Sequence, residues 1–324
     1  MQLHLQNDVL SQLRHVRTFN NSTKVSGQFP DFLIVGPQRT GTTFLTANLR
    51  YHPELFLSNP KELYFFSRLT ESPGKGSLHL ENFKWKLASK NPQRFFREVA
   101  KVAYFDMYKT GSYKSDQLEW YMSFFKDDPI TKLKKQQYFK QTFGAAYKPK
   151  VWGEATASYS VLPDSVIQDI VLLNPDIKAI LMVRDPIKRA WSHAKKDLMR
   201  NAMRSYEEVP QDSWFEFFNR EFQLKCADYV QNIQRWEKHL KPGNLKVCRF
   251  EDVKQKPHEL LLDIHGFLGV TPDPAFLPKK DMQKSVNQTD KLEVPPKYHD
   301  YLHNLLNRQI SELDTYVGSM ASSG

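Results

Sequence analysis

The sequence has 324 residues, 40% of them hydrophobic, and its 46 Lys and Arg against 36 Asp and Glu leave a formal charge of +10. A chain of this length supports one large core, and its two cysteines, Cys226 and Cys248, exclude both a disulfide framework and a C-x-x-C metal knuckle. No stretch approaches the roughly 18 apolar residues of a membrane span and the N-terminus lacks an apolar h-region, so a soluble, unexported, cytoplasmic protein with an anionic partner and no membrane association is expected.

Residues 1–28 are polar, and Leu3, Leu5, Val9, Leu10 and Leu13 predict a helix followed by a Ser/Thr/Asn/Gly linker, with a single domain over 29–324. Phe32 to Val35 form a short continuous apolar run closed by Gly36, the pattern of a buried parallel strand entering a tight loop. Thr42, Thr43, Leu45 and Leu49 then take up helical spacing. Strand, glycine-framed loop and helix start together aim backbone N–H groups and the positive end of a helix dipole at one spot, which suits a phosphate. The spacing of Gly36 and Gly41 is that of the phosphate loop G-x-x-x-x-G-K-[ST], and Thr43 stands at its hydroxyl position. The lysine is missing: Thr42 takes its place, and the nearest cation is Arg39 within the loop.

Leu55 to Leu57 predict a second strand, and Lys61-Glu62 then lead into the aromatic run Leu63 to Phe66. A carboxylate set against aromatic walls is one way to tune a general base, while a cap or ion-pair role for Glu62 is the plainer alternative. Between residues 83 and 125 the chain is rich in aromatic residues, among them Trp85, Phe95, Tyr104, Trp120 and Tyr121, which suit a core and the wall of an acceptor pocket. The basic stretch Lys132 to Lys140 reads as a solvated helix face. Glu154 follows a short strand, and Asp164 is expected to cap a helix over 165–173.

Lys178 to Val183 predict another buried strand, running into Arg184-Asp185-Pro186. Asp185 can cap a helix whose first turn begins at Pro186, leaving Arg184 at the strand's carboxyl edge, where α/β sheets collect ligands. Ser192 lies about two turns further on, and a guanidinium with a hydroxyl suits a second phosphate. Downstream, helices are expected over 214–222, 229–240, 260–268 (ended by Gly269) and 296–314, with a strand over 245–250. Glu251-Asp252 read as a cap rather than a metal site.

The combination FLIVGPQRTGTTFL, KELYFF, LEWYMSFF, GEATASY and LMVRDPIKRAWS resembles the sulfotransferases that use 3′-phosphoadenosine 5′-phosphosulfate (PAPS), particularly the heparan sulfate N- and 3-O-sulfotransferase branch and its bacterial relatives. The resemblance implies an α/β fold, a parallel sheet flanked by helices and related to P-loop nucleotide kinases. It also implies that Pro37, Gln38, Arg39, Thr40, Gly41, Thr42 and Thr43 hold the 5′-phosphosulfate, with Arg39 near the bridging oxygen. Arg184 and Ser192 would bind the 3′-phosphate, Lys284, Ser285 and Asn287 would sit on a loop closing over the donor, and Glu62 would be the general base. PAPS would be donor, 3′-phosphoadenosine 5′-phosphate (PAP) the product, and no metal would be required.

Three departures shape the expected acceptor. Arg39 stands where heparan-type enzymes carry lysine, Ala155 stands where a lysine follows their strand glutamate, and a C-terminal cysteine pair is missing. The expectation is therefore a small-molecule or saccharide acceptor, such as a secondary metabolite, sulfated on a hydroxyl or amine. Two other readings compete: a P-loop kinase or NTPase using Asp185 for magnesium, and a non-catalytic basic nucleic-acid-binding protein, which no recognition motif supports.

Overall fold

Residues 2–5, 12–16, 25–69, 117–278 and 292–322 are described by the computed structural model. Five strands form an all-parallel sheet in the order β4-β5-β3-β6-β7, where β3 is Phe32–Gly36, β4 Leu55–Leu57, β5 Val151–Ala155, β6 Lys178–Val183 and β7 Leu245–Arg249. The central strands read as unbroken apolar runs because both faces of a parallel sheet are covered, and all five residues of β3 are buried. On one face Phe32, Ile34, Ile180 and Met182 pack with Leu45 and Leu49 of the helix Thr42–Leu49 and with Leu261 and Ile264 of the helix Pro257–Leu268. Gly153 belongs to this face: a Cβ there would lie 2.1 Å from the Phe32 ring, so only glycine lets that ring cross β5. Leu33, Ala179 and Glu154 are register partners and share the opposite face.

After β3 the chain builds β4 and β5 on one side, then crosses to build β6 and β7 on the other. Such a reversal opens a crevice beyond the carboxyl ends of the strands. The loop after β3, the segment after β5 and Arg184 after β6 all leave the sheet at that end.

Where one domain over 29–324 is expected, the contacts divide the chain into two compact units. The first holds the sheet and the described residues up to 69, with 117–184 and 231–278. The second, residues 185–230 and 292–322, is helical, and leaves the sheet unit between β6 and β7. Its core stacks Trp191 on Trp214 at 4.7 Å and on Tyr298 at 5.5 Å, with Phe217, Phe218, Leu302 and Leu306 around them.

Several local expectations are corrected. Within the segment expected as an N-terminal helix and linker, residues 2–5 and 25–28 are strands, β1 (Gln2–Leu5) pairing antiparallel with β2 (Val25–Gln28); QLHL alternates as well as it spirals, and its distant partner decides, while 6–11 and 17–24 lie outside the described residues. Asp164 is the first residue of the helix Asp164–Leu173 rather than its cap; its carboxylate is taken by His239 and Lys238, whose hydrogen bonds hold it down to about 2. The helix expected over 214–222 breaks at an extended Arg220 into Gln211–Asn219 and Glu221–Ala227. The last helix breaks at Leu306, which leaves helical geometry yet stays buried, giving Pro296–Leu305 and Asn307–Ser322. The basic stretch lies, as expected, on an exposed helix, Pro129–Phe143, of which only Phe139 is buried. Trp85, Phe95 and Tyr104 lie outside the described residues. Among the described residues no helix is long and apolar enough to cross a membrane.

His52 and His265 are buried against each other with ring centroids 4.5 Å apart. His52 accepts from Glu54 N through Nδ1 (3.1 Å), so Nε2 carries its proton and donates to Thr271 O at 2.8 Å. Burial lowers His52 and pushes His265 down to about 3. Because both lie below the unfolded value of about 6.5, their contribution is complete above pH 6.5 and is lost as pH falls toward 3, at up to about 1.4 kcal/mol per pH unit for each histidine. Urea titrations between pH 7 and 4 should show this loss, and His265→Phe should flatten it.

Candidate active site

β3 ends at Gly36 with φ 101, where an added Cβ would lie 2.2 Å from Ala157 O, so glycine alone permits the turn. The loop is closed by Thr40, whose Oγ1 donates to Pro37 O at 2.6 Å. That commits the hydroxyl proton of Thr40, leaving its backbone N–H to meet a ligand. Arg39 also has positive φ, 72, and Gly41, φ 101, is the N-cap of Thr42–Leu49. This helix has no side-chain cap and no acidic residue in its first turn. Its first N–H groups have no intrahelical acceptor and carry the positive end of the dipole, which together make an anion site. Pro37, Thr40 and Thr42 are buried, while Gln38, Arg39, Gly41 and Thr43 are half-buried at its surface.

The cation that the loop sequence lacks comes from elsewhere. Lys61 Nζ donates to Thr42 Oγ1 at 3.1 Å and Thr43 Oγ1 at 3.2 Å, and lies 2.9 Å from Glu62 Oε1. These three acceptors match the three donors of an ammonium group. Lys61 therefore stands over the position of the missing phosphate-loop lysine and ties the loop to Glu62. Sequence reasoning found Lys61 only as the neighbour of Glu62; the signal was a loop without its cation followed by a Lys-Glu pair.

Glu62 sits in a turn rather than a strand, with φ 67, and Tyr64 two residues on has φ 59. Residues other than glycine rarely adopt this region; each costs about 1–3 kcal/mol and persists only where its surroundings over-determine it. Here they do. Glu62 N donates to Ala155 O at 2.9 Å, and Ala157 N donates back to Glu62 Oε2 at 2.9 Å. The carboxylate is thus held between the end of β5 and Lys61, with its side chain 22% exposed.

Arg184 leaves β6 and donates through Nη1 to Arg39 O at 2.7 Å, with its guanidinium 4.2 Å from the Phe250 ring centroid. The expected convergence of Arg184 with the loop after β3 is found. Asp185 caps the next helix, Pro186–Ala194, by accepting from Lys188 N at 2.8 Å. Ser192 is buried within that helix, in the second unit. His193 packs edge-on to Phe217 of the same unit, at 5.5 Å. Lys284, Ser285 and Asn287 lie outside the described residues. Glu154 is inside β5 rather than beyond it and is 0% exposed, so it cannot meet a substrate. Among the described residues no cluster of three or more His, Cys, Asp or Glu could hold a metal ion.

A family described as "Sulfotransferase domain" matches residues 29–294. Mouse bifunctional heparan sulfate N-deacetylase/N-sulfotransferase 4 is 23% identical over 257 residues, covering 77% of this chain and 23% of the relative. Human bifunctional heparan sulfate N-deacetylase/N-sulfotransferase 2 has the same identity and the same coverage of both chains. The chain thus spans about a quarter of the length of these relatives. Among solved structures, a sulfotransferase from Alicyclobacillus acidocaldarius shares the fold with a TM-score of 0.53 at 20% identity, over 90% of this chain and 96% of that one.

Replacing Lys61 by Met keeps most of the stem and removes all three donors. Hydrogen bonds to a charged partner contribute about 1.5–3 kcal/mol, so Lys61→Met should weaken binding of adenosine 3′,5′-bisphosphate (PAP) by about tenfold or more in calorimetry.

Proposed function

Because the chain belongs to the sulfotransferase family, we propose that it moves a sulfuryl group from PAPS to a hydroxyl or amine of a small-molecule or saccharide acceptor. The observation that carries this reading is the single ammonium of Lys61 shared by the Thr42 and Thr43 hydroxyls and the Glu62 carboxylate. One cation there serves both halves of a transfer: the anion leaving the loop and the base facing the acceptor. The loop fits a 5′-phosphosulfate chemically, since it offers first-turn amides, two threonine hydroxyls and the cations Arg39 and Lys61, with no acid in the helix's first turn.

In this mechanism the acceptor oxygen or nitrogen attacks sulfur as Glu62 takes its proton. The bond from sulfur to the bridging oxygen breaks, and that oxygen keeps the electron pair and leaves on PAP. Arg39, Lys61 and the amides of the loop stabilise the charge as it develops. Protonation of Glu62 ends its ion pair with Lys61, which frees the ammonium for the departing phosphate at the moment that charge appears. Arg184, held against the loop by Arg39 O, takes the 3′-phosphate through its guanidinium fork. Ser192 carries the same assignment by resemblance, as do Lys284, Ser285 and Asn287 for the closing segment. Ala155, buried in β5 at 2% exposed, places no cation near the acceptor, which supports an acceptor less anionic than heparan. Asp185, the residue the kinase reading would need for magnesium, is engaged through Oδ1 as a helix cap.

A screen with labelled PAPS and a library of amines, alcohols and sugars tests the reaction itself. With the best acceptor, Glu62→Gln should lower kcat by about 10² to 10⁴-fold, the usual reach of general-base catalysis, while PAP binds in calorimetry at least as tightly as to wild type; full turnover by this variant would reject the base. Arg184→Ala should weaken PAP at least about tenfold, and unchanged affinity would reject the 3′-phosphate contact.

A further inference from the structure

We propose that Glu154 is a positioning residue for Glu62: from beneath the 62–66 turn, its carboxylate orients the Thr156 and Tyr159 hydroxyls that hold the turn and, through it, the base. The inference rests on the reading of Glu62 as general base.

Glu154 lies in β5 with no exposed surface, on the sheet face it shares with Leu33 and Ala179. Its Oε1 accepts from Thr156 Oγ1 at 2.6 Å. Its Oε2 accepts from the Tyr121 hydroxyl and, at 3.4 Å, from the Tyr159 hydroxyl. A hydroxyl has one proton to donate and can turn it either way. Since Thr156 and Tyr159 both spend that proton on Glu154, their lone pairs are left facing the turn. Thr156 Oγ1 accepts from Tyr64 N at 3.4 Å, and Tyr159 OH accepts from Phe66 N at 3.2 Å. These ties hold the chain immediately after Glu62, from Tyr64, the second of its two positive-φ residues, to Phe66. The carboxylate is the acceptor that both hydroxyls share.

The surroundings keep the arrangement dry. Tyr121 stacks on Phe65 at 4.4 Å and meets Phe66 at 5.3 Å and Phe29 at 5.7 Å. The titratable groups facing Glu154 are Tyr121 from the helix Gln117–Met122, Tyr159 from the turn after β5, and Glu62 itself. Burial raises the Glu154 carboxyl to about 7. Only the ionised form accepts from all three hydroxyls at once. The protonated form must donate to one of them and turns that hydroxyl away, so turnover should rise as pH passes through about 7.

The test uses the full chain with PAPS and water as acceptor, read as PAP release, for wild type, Glu62→Gln, Glu154→Gln and the double variant. Glu154→Gln should lower kcat at least about tenfold, leave KM for PAPS within about twofold, and lose the rise through pH 7. In the Glu62→Gln background it should add no further loss, whereas a general structural defect would multiply. If Glu154→Gln keeps kcat within twofold and the wild-type pH profile while Glu62→Gln is inactive, the inference is overturned and the base survives. Full turnover by Glu62→Gln removes the base reading and this inference together. Should Glu154→Gln fail to unfold cooperatively, Tyr159→Phe removes one hydroxyl and keeps the ring: a loss confined to kcat supports the inference, and wild-type turnover overturns it.

Discussion

One ammonium group, that of Lys61, organises the site. Its three donors are divided between the two threonines that open the helix Thr42–Leu49 and the carboxylate of Glu62. Loop and carboxylate come from different turns at the same edge of the sheet, and the shared counter-ion joins them directly. A phosphate loop normally carries its own lysine. Here that position is Thr42, and the charge arrives from a neighbouring turn, which also brings an acid–base group with it.

The turn that delivers both residues is strained. Glu62 and Tyr64 each hold positive φ without being glycine, and such geometry persists only where the surroundings over-determine it. The ties to Ala155, Ala157, Thr156 and Tyr159 all lead to β5 and the turn that follows it. β5 in turn is locked beside β3 by three register pairs and by the Phe32 ring lying over Gly153. The rigidity of the carboxylate is therefore a property of the sheet core, and the buried Glu154 is where core and site meet.

The chain's positive charge is put to two uses. Lys132, Lys134 and Lys140 lie on the exposed helix Pro129–Phe143, where water screens them. Arg39, Lys61 and Arg184 converge at the sheet's carboxyl edge beside an uncapped helix start. Only the second group is placed where partial burial strengthens each charge.

Much of the fold was legible in the sequence. Continuous apolar runs marked β3 and β6 because parallel strands are buried on both faces, and Gly36, Gly41, Asp185 and Pro186 marked turns and caps because their backbone needs are local. The β1–β2 pairing, the break at Leu306 and the separation into two units were not legible, since each depends on partners distant in the chain. The same division runs through the site. Sequence alone determined the glycine-framed loop between β3 and the next helix and Arg184 at the strand end, because spacing carries that information, while Glu62 was singled out by resemblance. Only the tertiary structure decided that Lys61 reaches the two threonines of the loop, 18 and 19 residues back in the chain, and that Glu154 is buried beneath the turn, whose ties to the segment after β5 span 93 and 95 residues, because both depend on segments meeting through space and no local pattern encodes such a distance.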